Sequence, residues 1–225
     1  MSKKKDKNAR KKAVKKKQLS QQQKATNKAL SQSEPSALAL LNYQITYDPL
    51  DDGQPADLPA QLIARKEVIY HHLSDTPAEF IDELKELIEQ YPQDKALGNY
   101  LANAYKLNGD KQAYIDFTKK AYKNDPDYLF NCFQLALIYM EENNYKGVEE
   151  IFAGKFDLKL LFPARDVFHI TEVSSMLTIA AHYYQWQNNR VKFLQCFDQL
   201  RELDPMSAAV LKLMPTVLKY RFSIS

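Results

Sequence analysis

Glycine is scarce. Gly53, Gly98, Gly109, Gly147 and Gly154 are scattered singly through 225 positions. No glycine-rich loop gathers backbone N–H groups around a phosphate, and no Gly-x-Ser-x-Gly elbow presents a nucleophile. Cysteine numbers two, Cys132 and Cys196, too few for a disulfide framework. Both stand at apolar helical positions and read as buried thiols of a reducing compartment. His71 and His72 are adjacent, so they point apart on a helix, and His169 and His182 lack the i, i+4 spacing of a zinc pair. Asp48, Asp51, Asp52 and Gly53 lack the alternating acids and closing Glu of a calcium loop and read as a turn. Apolar runs are short: Ala37–Leu41 does not reach signal-peptide length, and nothing reaches transmembrane length. Period-two alternation is equally rare, which argues against a β domain. Glu83, Glu86, Glu89, Glu149 and Glu150 fall on solvated helix faces. These absences lead to the expectation of a non-catalytic chain without metal or cofactor.

Charge is abundant and unevenly placed. Residues 1–28 hold twelve Lys/Arg against one acid, Asp6, for +11, while the other 197 residues hold nineteen against twenty-seven, for −8. The arm centres on Lys3, Lys4, Lys5, Arg10, Lys11, Lys12, Lys15, Lys16 and Lys17. Residues 1–34 contain almost no bulky apolar side chain, so they cannot offset the entropy of ordering and are expected to be disordered. A flexible cationic segment is drawn to phosphates by counterion release, so RNA, the ribosome or an anionic membrane surface would each suit it. It lacks interleaved aromatics for base stacking. The expected location is the cytoplasm, or the nucleus in a eukaryotic cell, where such a run also reads as an import signal.

Two prolines punctuate the body. Pro92 and Pro126 stand 34 residues apart, each closing a similar run, EQYP and KNDP. That is the period of a stacked helix–turn–helix repeat. With Pro126 at position 32, a unit begins at Lys95, and Leu101, Ala102 and Tyr105 take positions 7, 8 and 11. The next unit, from Leu129, places Leu135, Ala136 and Tyr139 there. A last unit, counted back from Pro205 to Ser174, places Ala180, Ala181 and Tyr184. Positions 20 and 24 carry Tyr114 and Thr118, Val148 and Phe152, Phe193 and Phe197. Gly109 and Asp110 fall in a turn. Pro126 and Pro205 are 79 residues apart, eleven more than two repeats, so an insertion is expected near Lys155–Asp166.

This pattern resembles the tetratricopeptide repeat (TPR) family over roughly residues 60–205. It departs from that family at position 20, where the family prefers Ala, and at Thr118. The resemblance implies an all-α, TPR-like α-solenoid of helical hairpins behind the disordered basic arm. The chain divides accordingly into the arm 1–34, a proline-containing linker 35–58, and a helical repeat domain 59–225 with a carboxy-terminal capping helix, Ser207–Phe222, kinked at Pro215. The linker carries ALALLNYQITYDPL, too apolar to stay free, and is expected to dock on the array along its groove. A capping box is expected at Thr76-Pro77-Ala78-Glu79, and a long helix from about Val167 or Thr171 to Trp186.

The resemblance also implies a concave binding face formed by positions 2, 5, 9 and 12 of each first helix. Carried over, these include Asn99, Asn103 and Lys106, then Phe130, Phe133, Leu137 and Met140, then Thr178, His182 and Gln185. Only Asn103 fits the family's carboxylate-clamping pattern, so the middle of the groove is expected to take an apolar helix or strand. The expected function is a protein–protein scaffold or adaptor. The alternative is an RNA- or ribosome-associated factor in which the arm is the primary binding element.

Overall fold

The structure of the protein, a computed structural model, describes residues 37–48 and 58–222. The lysine-rich arm and the linker prolines Pro35, Pro49 and Pro55 lie outside the described residues. Ala37–Leu40 form a single 3-10 turn. From Leu41 onward the chain gathers as one unit.

That unit is mostly helical. Its helices are α1 (Ala60–His72), α2 (Pro77–Gln90), α3 (Lys95–Leu107), α4 (Lys111–Asn124), α5 (Leu129–Glu141), α6 (Tyr145–Ile151), α7 (Leu158–Leu161), α8 (Ile170–Trp186), α9 (Arg190–Leu203) and α10 (Ala208–Phe222). From α2 to α6, and again from α8 to α10, each helix packs on the next. First helices also pack on one another: α1 on α3, α3 on α5, and α5 on α8. Apolar stripes drive this stacking. On α2, Phe80 and Leu84 are buried with Ile81, Leu87 and Ile88 beside them, so the helix has one face that must leave water.

Three hairpins turn by the same chemistry, and the repeat register finds each turn. Position 15 is Gly109, Asn143 and Asn188, all left-handed at φ +78°, +55° and +55°. This conformation suits Gly and is tolerated by Asn. Position 16 is Asp110, Asn144 and Asn189. Each caps the following helix, its side-chain oxygen accepting from the N–H of Ala113, Gly147 or Lys192. Each also donates its own N–H to the carbonyl of the tyrosine at position 11: Tyr105 (3.0 Å), Tyr139 (2.7 Å) and Tyr184 (2.9 Å). Positions 7 and 8 are buried in all three units, and so are positions 20 and 24.

The amino-terminal end departs from this plan. The capping box expected at Thr76 does not form: Pro77 opens α2, but the Thr76 side chain makes no cap hydrogen bond. A capping box stands instead at α8, where Glu172 Oε2 accepts from His169 N–H (2.9 Å) and His169 Nδ1 accepts from Thr171 N–H (3.3 Å). Helix α1 buries Leu62, Lys66 and Ile69. It is tied to α3 by Lys66 Nζ, which sits 2.6 Å from Asp94 Oδ2, both side chains buried. Gly147 lies in the first turn of α6.

The insertion is where the spacing places it, and it meets the linker. Val167–His169 form strand β2, which pairs in parallel with β1, Gln44–Thr46, in the register Gln44–Val167, Ile45–Phe168 and Thr46–His169. Helix α8 therefore begins at Ile170, after a strand the sequence did not suggest. Leu41, Tyr43 and Ile45 pack on the large apolar core, and Tyr43 meets Phe168 edge-on at 4.8 Å. The apolar linker thus docks by pairing with the insertion. The core itself has two main bodies. One joins α1, α2 and α3, and the other runs from α5 to α10. Between them lies a small cluster of Ala102, Tyr114 and Ile138.

Candidate functional site

A cleft of about 370 Å³ opens between α5, the first half of α8 and the α9–α10 junction. From α5 come Phe133 and Leu137. From α8 come Thr171, Ser174, Ser175 and Thr178. The third wall is Leu200, Leu203, Asp204, Ser207 and Ala209. Three residues of the anticipated groove, Phe133, Leu137 and Thr178, therefore meet in one place.

The lining is rich in hydroxyls, yet most of them are engaged locally. Thr178 Oγ1 donates to the Ser174 carbonyl (2.7 Å) and Ser174 Oγ to the Thr171 carbonyl (3.3 Å). Thr171 Oγ1 lies 2.7 Å from His169 Nδ1. Ser207 Oγ accepts from Val210 N–H (3.3 Å), capping α10. With Thr171, Ser174 and Thr178 donating within the protein, the cleft offers mainly methyl groups and Leu, Ile and Phe side chains, plus the Ser175 and Ser207 hydroxyls and one carboxylate. That carboxylate, Asp204, is exposed and accepts from Met206 N–H at 3.1 Å.

A charged clamp holds the start of α8. Arg165 donates to both oxygens of buried Glu172, at 3.1 and 2.9 Å, and its guanidinium lies 4.4 Å from the Phe168 ring centre. Bidentate pairing fixes both side chains in a plane, and through Glu172 it fixes the first turn of α8.

The other anticipated groove residues behave differently. Asn99 and Asn103 serve the interior. Gln134 Nε2 donates to Asn99 Oδ1 (3.0 Å) and Asn103 Oδ1 (3.1 Å), while Gln134 Oε1 accepts from Tyr114 OH (2.8 Å). Burial raises the Tyr114 phenol well above its ordinary pKa, so it remains a donor. Phe130 is half-buried between Tyr128 and Phe133, and Met140 packs against the core. Lys106 is exposed, with Nζ 5.6 Å from the Tyr114 ring centre. Its pKa is lowered by desolvation, and Glu141 opposes that shift while Lys212 adds to it. His182 is likewise pushed below its ordinary value by burial and then by Lys212. Gln185 Nε2 reaches Thr216 Oγ1 on α10 (3.2 Å).

The α9–α10 wall of the cleft escaped sequence reasoning. Its only signal is Pro205, which marks a helix end without showing that this end folds back over α5 and α8. The cationic arm residues lie outside the described residues. No helix among the described residues is long and apolar enough to cross a membrane. Comparison with protein-family models, with curated proteins and with solved structures finds no significant match.

Proposed function

We propose that this chain is a non-catalytic binding scaffold. In this reading its hairpins form a TPR-like α-solenoid, and its concave face takes an apolar segment of another polypeptide in the cytoplasm. The observation that carries it is the cleft where Phe133, Leu137 and Thr178 converge, with the Thr178 hydroxyl already donating to the Ser174 carbonyl. A groove that offers apolar surface and few open donors favours a Leu-, Ile- or Phe-bearing helix or strand over a polar ligand. Selection of displayed peptides on the full chain should return an apolar consensus. Leu137→Glu should abolish that binding while leaving helical circular dichroism unchanged, because Leu137 is only half-buried. Peptides that hold the Leu137→Glu variant as well as the parent would refute the groove.

The charge imbalance favours a second reading, an RNA- or ribosome-associated factor anchored by Lys3, Lys4, Lys5 and the basic residues that follow. That reading expects RNA affinity that falls steeply with salt and disappears on removal of residues 1–28. Affinity indifferent to salt would sink it.

A further inference from the structure

Both terminal helices leave apolar stripes open. On α10, Val210, Leu213 and Val217 are buried, while Leu211, Leu218 and Phe222 share another face at i, i+7 and i+11 and are 54%, 50% and 73% exposed. On α1, Ile63 and Tyr70 stand one heptad apart on the flank beside the buried stripe, 54% and 60% exposed. Stacked helical arrays stay soluble by ending in polar outer faces. Each end of this array instead shows a row of large apolar side chains, the pattern of a surface that is covered in use.

Charge distinguishes the two ends. Every side chain of α10 that is charged at neutral pH is basic: Lys212, Lys219 and Arg221. Lys212 and Lys219 are exposed beside the stripe, and Arg221 is held by Asp198. On α1 both bases are already paired, Arg65 with Glu83 and Lys66 with Asp94. Exposed Glu67 lies between Ile63 and Tyr70 on the same flank. Two copies of α10 placed face to face would set lysines against lysines. An α10 placed on α1 would set Lys212 and Lys219 beside Glu67, and one heptad-spaced apolar row against another.

We infer that the α10 stripe docks on the α1 flank of a second copy of this chain, head to tail. Such a contact is heterologous, so each added copy leaves a free head and a free tail, and the assembly grows beyond a dimer unless its rotation closes a ring. Opposite charges at the rim make it weaken as salt rises.

The test is the mass of the full chain in solution, by light scattering and sedimentation. The parent should exceed twice the monomer mass as concentration rises, and return towards monomer at high salt. Leu218→Glu and Tyr70→Glu should each be monomeric with unchanged circular dichroism, since both positions are exposed. Mixed together, the two variants should form a dimer and nothing larger, because each retains one intact end. The groove variant Leu137→Glu should assemble like the parent, which keeps this inference separate from the proposed ligand site. A parent that is monomeric at every concentration overturns the inference. So does assembly lost in Leu218→Glu but kept in Tyr70→Glu, which would mean tail-to-tail pairing.

Discussion

Thr118 carries the one buried side-chain oxygen without a hydrogen-bond partner among the described residues. A buried hydroxyl without a partner forfeits its hydration and gains nothing in return. Thr118→Val should therefore stabilise the protein by about 1 kcal/mol, read as a higher midpoint in urea. Two glycines separate two kinds of constraint. Gly109 is left-handed with open space where a Cβ would stand, so Gly109→Ala should cost about 1 kcal/mol of backbone strain. At Gly147 a Cβ would come within 2.5 Å of the Tyr139 ring. Gly147→Ala must displace the Tyr139 ring and the capping Asn144 side chain and should cost roughly 1–3 kcal/mol, typical of overpacking. Equal losses at the two positions would contradict this division.

His182 makes stability depend on pH. Its folded pKa lies below the ordinary value near about 6.5, so below that pH the unfolded chain binds the proton more readily. The contribution is complete above the unfolded value and is lost as pH falls through the folded one. Denaturant titrations at neutral and mildly acidic pH should show the parent losing stability, and His182→Gln losing less. A variant with the parent's pH slope would mean that another group controls it.

At the scale of elements, the β1–β2 pair is built from two distant segments that periodicity does not reveal. Strand β1 is held by Gln44 N–H donating to the Asp166 carbonyl (2.8 Å), by the ladder to β2, and by Tyr43 against Phe168. An edge-on aromatic pair adds about 0.5–1.5 kcal/mol beyond its buried area. Tyr43→Ala should accordingly raise the exchange rate of the Gln44 amide severalfold or more, with the helical amides unchanged. Helix-wide acceleration would show instead that the strap supports the whole unit. The helices themselves were legible because local signals mark them: an apolar face, and before several of them a capping Asp or Asn or a left-handed Gly or Asn. The strands are three residues each. Such short segments have no periodicity to read, and a parallel partner can lie anywhere along the chain.

The whole molecule is a chain of neighbouring contacts with a polar joint near its middle. The two apolar bodies meet at Ala102, Tyr114 and Ile138, beside the network of Gln134, Asn99, Asn103 and Tyr114. Replacing Gln134 by Ala removes its bonds to Asn99 Oδ1 and Asn103 Oδ1 and one of the two acceptors of Tyr114 OH, which weakens the interface on which cooperativity depends. Trp186 is the only tryptophan. It stacks on Tyr145 beside the carboxy-terminal body, so its fluorescence reports that half while far-ultraviolet circular dichroism reports both. The two probes should unfold together in the parent and separate in Gln134→Ala. Coincident curves in the variant would show that the joint does not set cooperativity.

The candidate site divides along the same line. The resemblance to TPR arrays, rather than periodicity, put Phe133, Leu137 and Thr178 on one expected face, and the structure brings these three into one cleft. The amino-acid order could not show that Asn99 and Asn103 turn to Gln134, thirty-five and thirty-one residues away. Nor could it show that Leu203, Asp204 and Ser207 close the cleft. Helix identity, turn chemistry and the buried faces follow from spacing within a few residues, and the sequence determined these by itself. Only the tertiary structure decided which faces meet across the array, because those contacts depend on how successive hairpins rotate against one another.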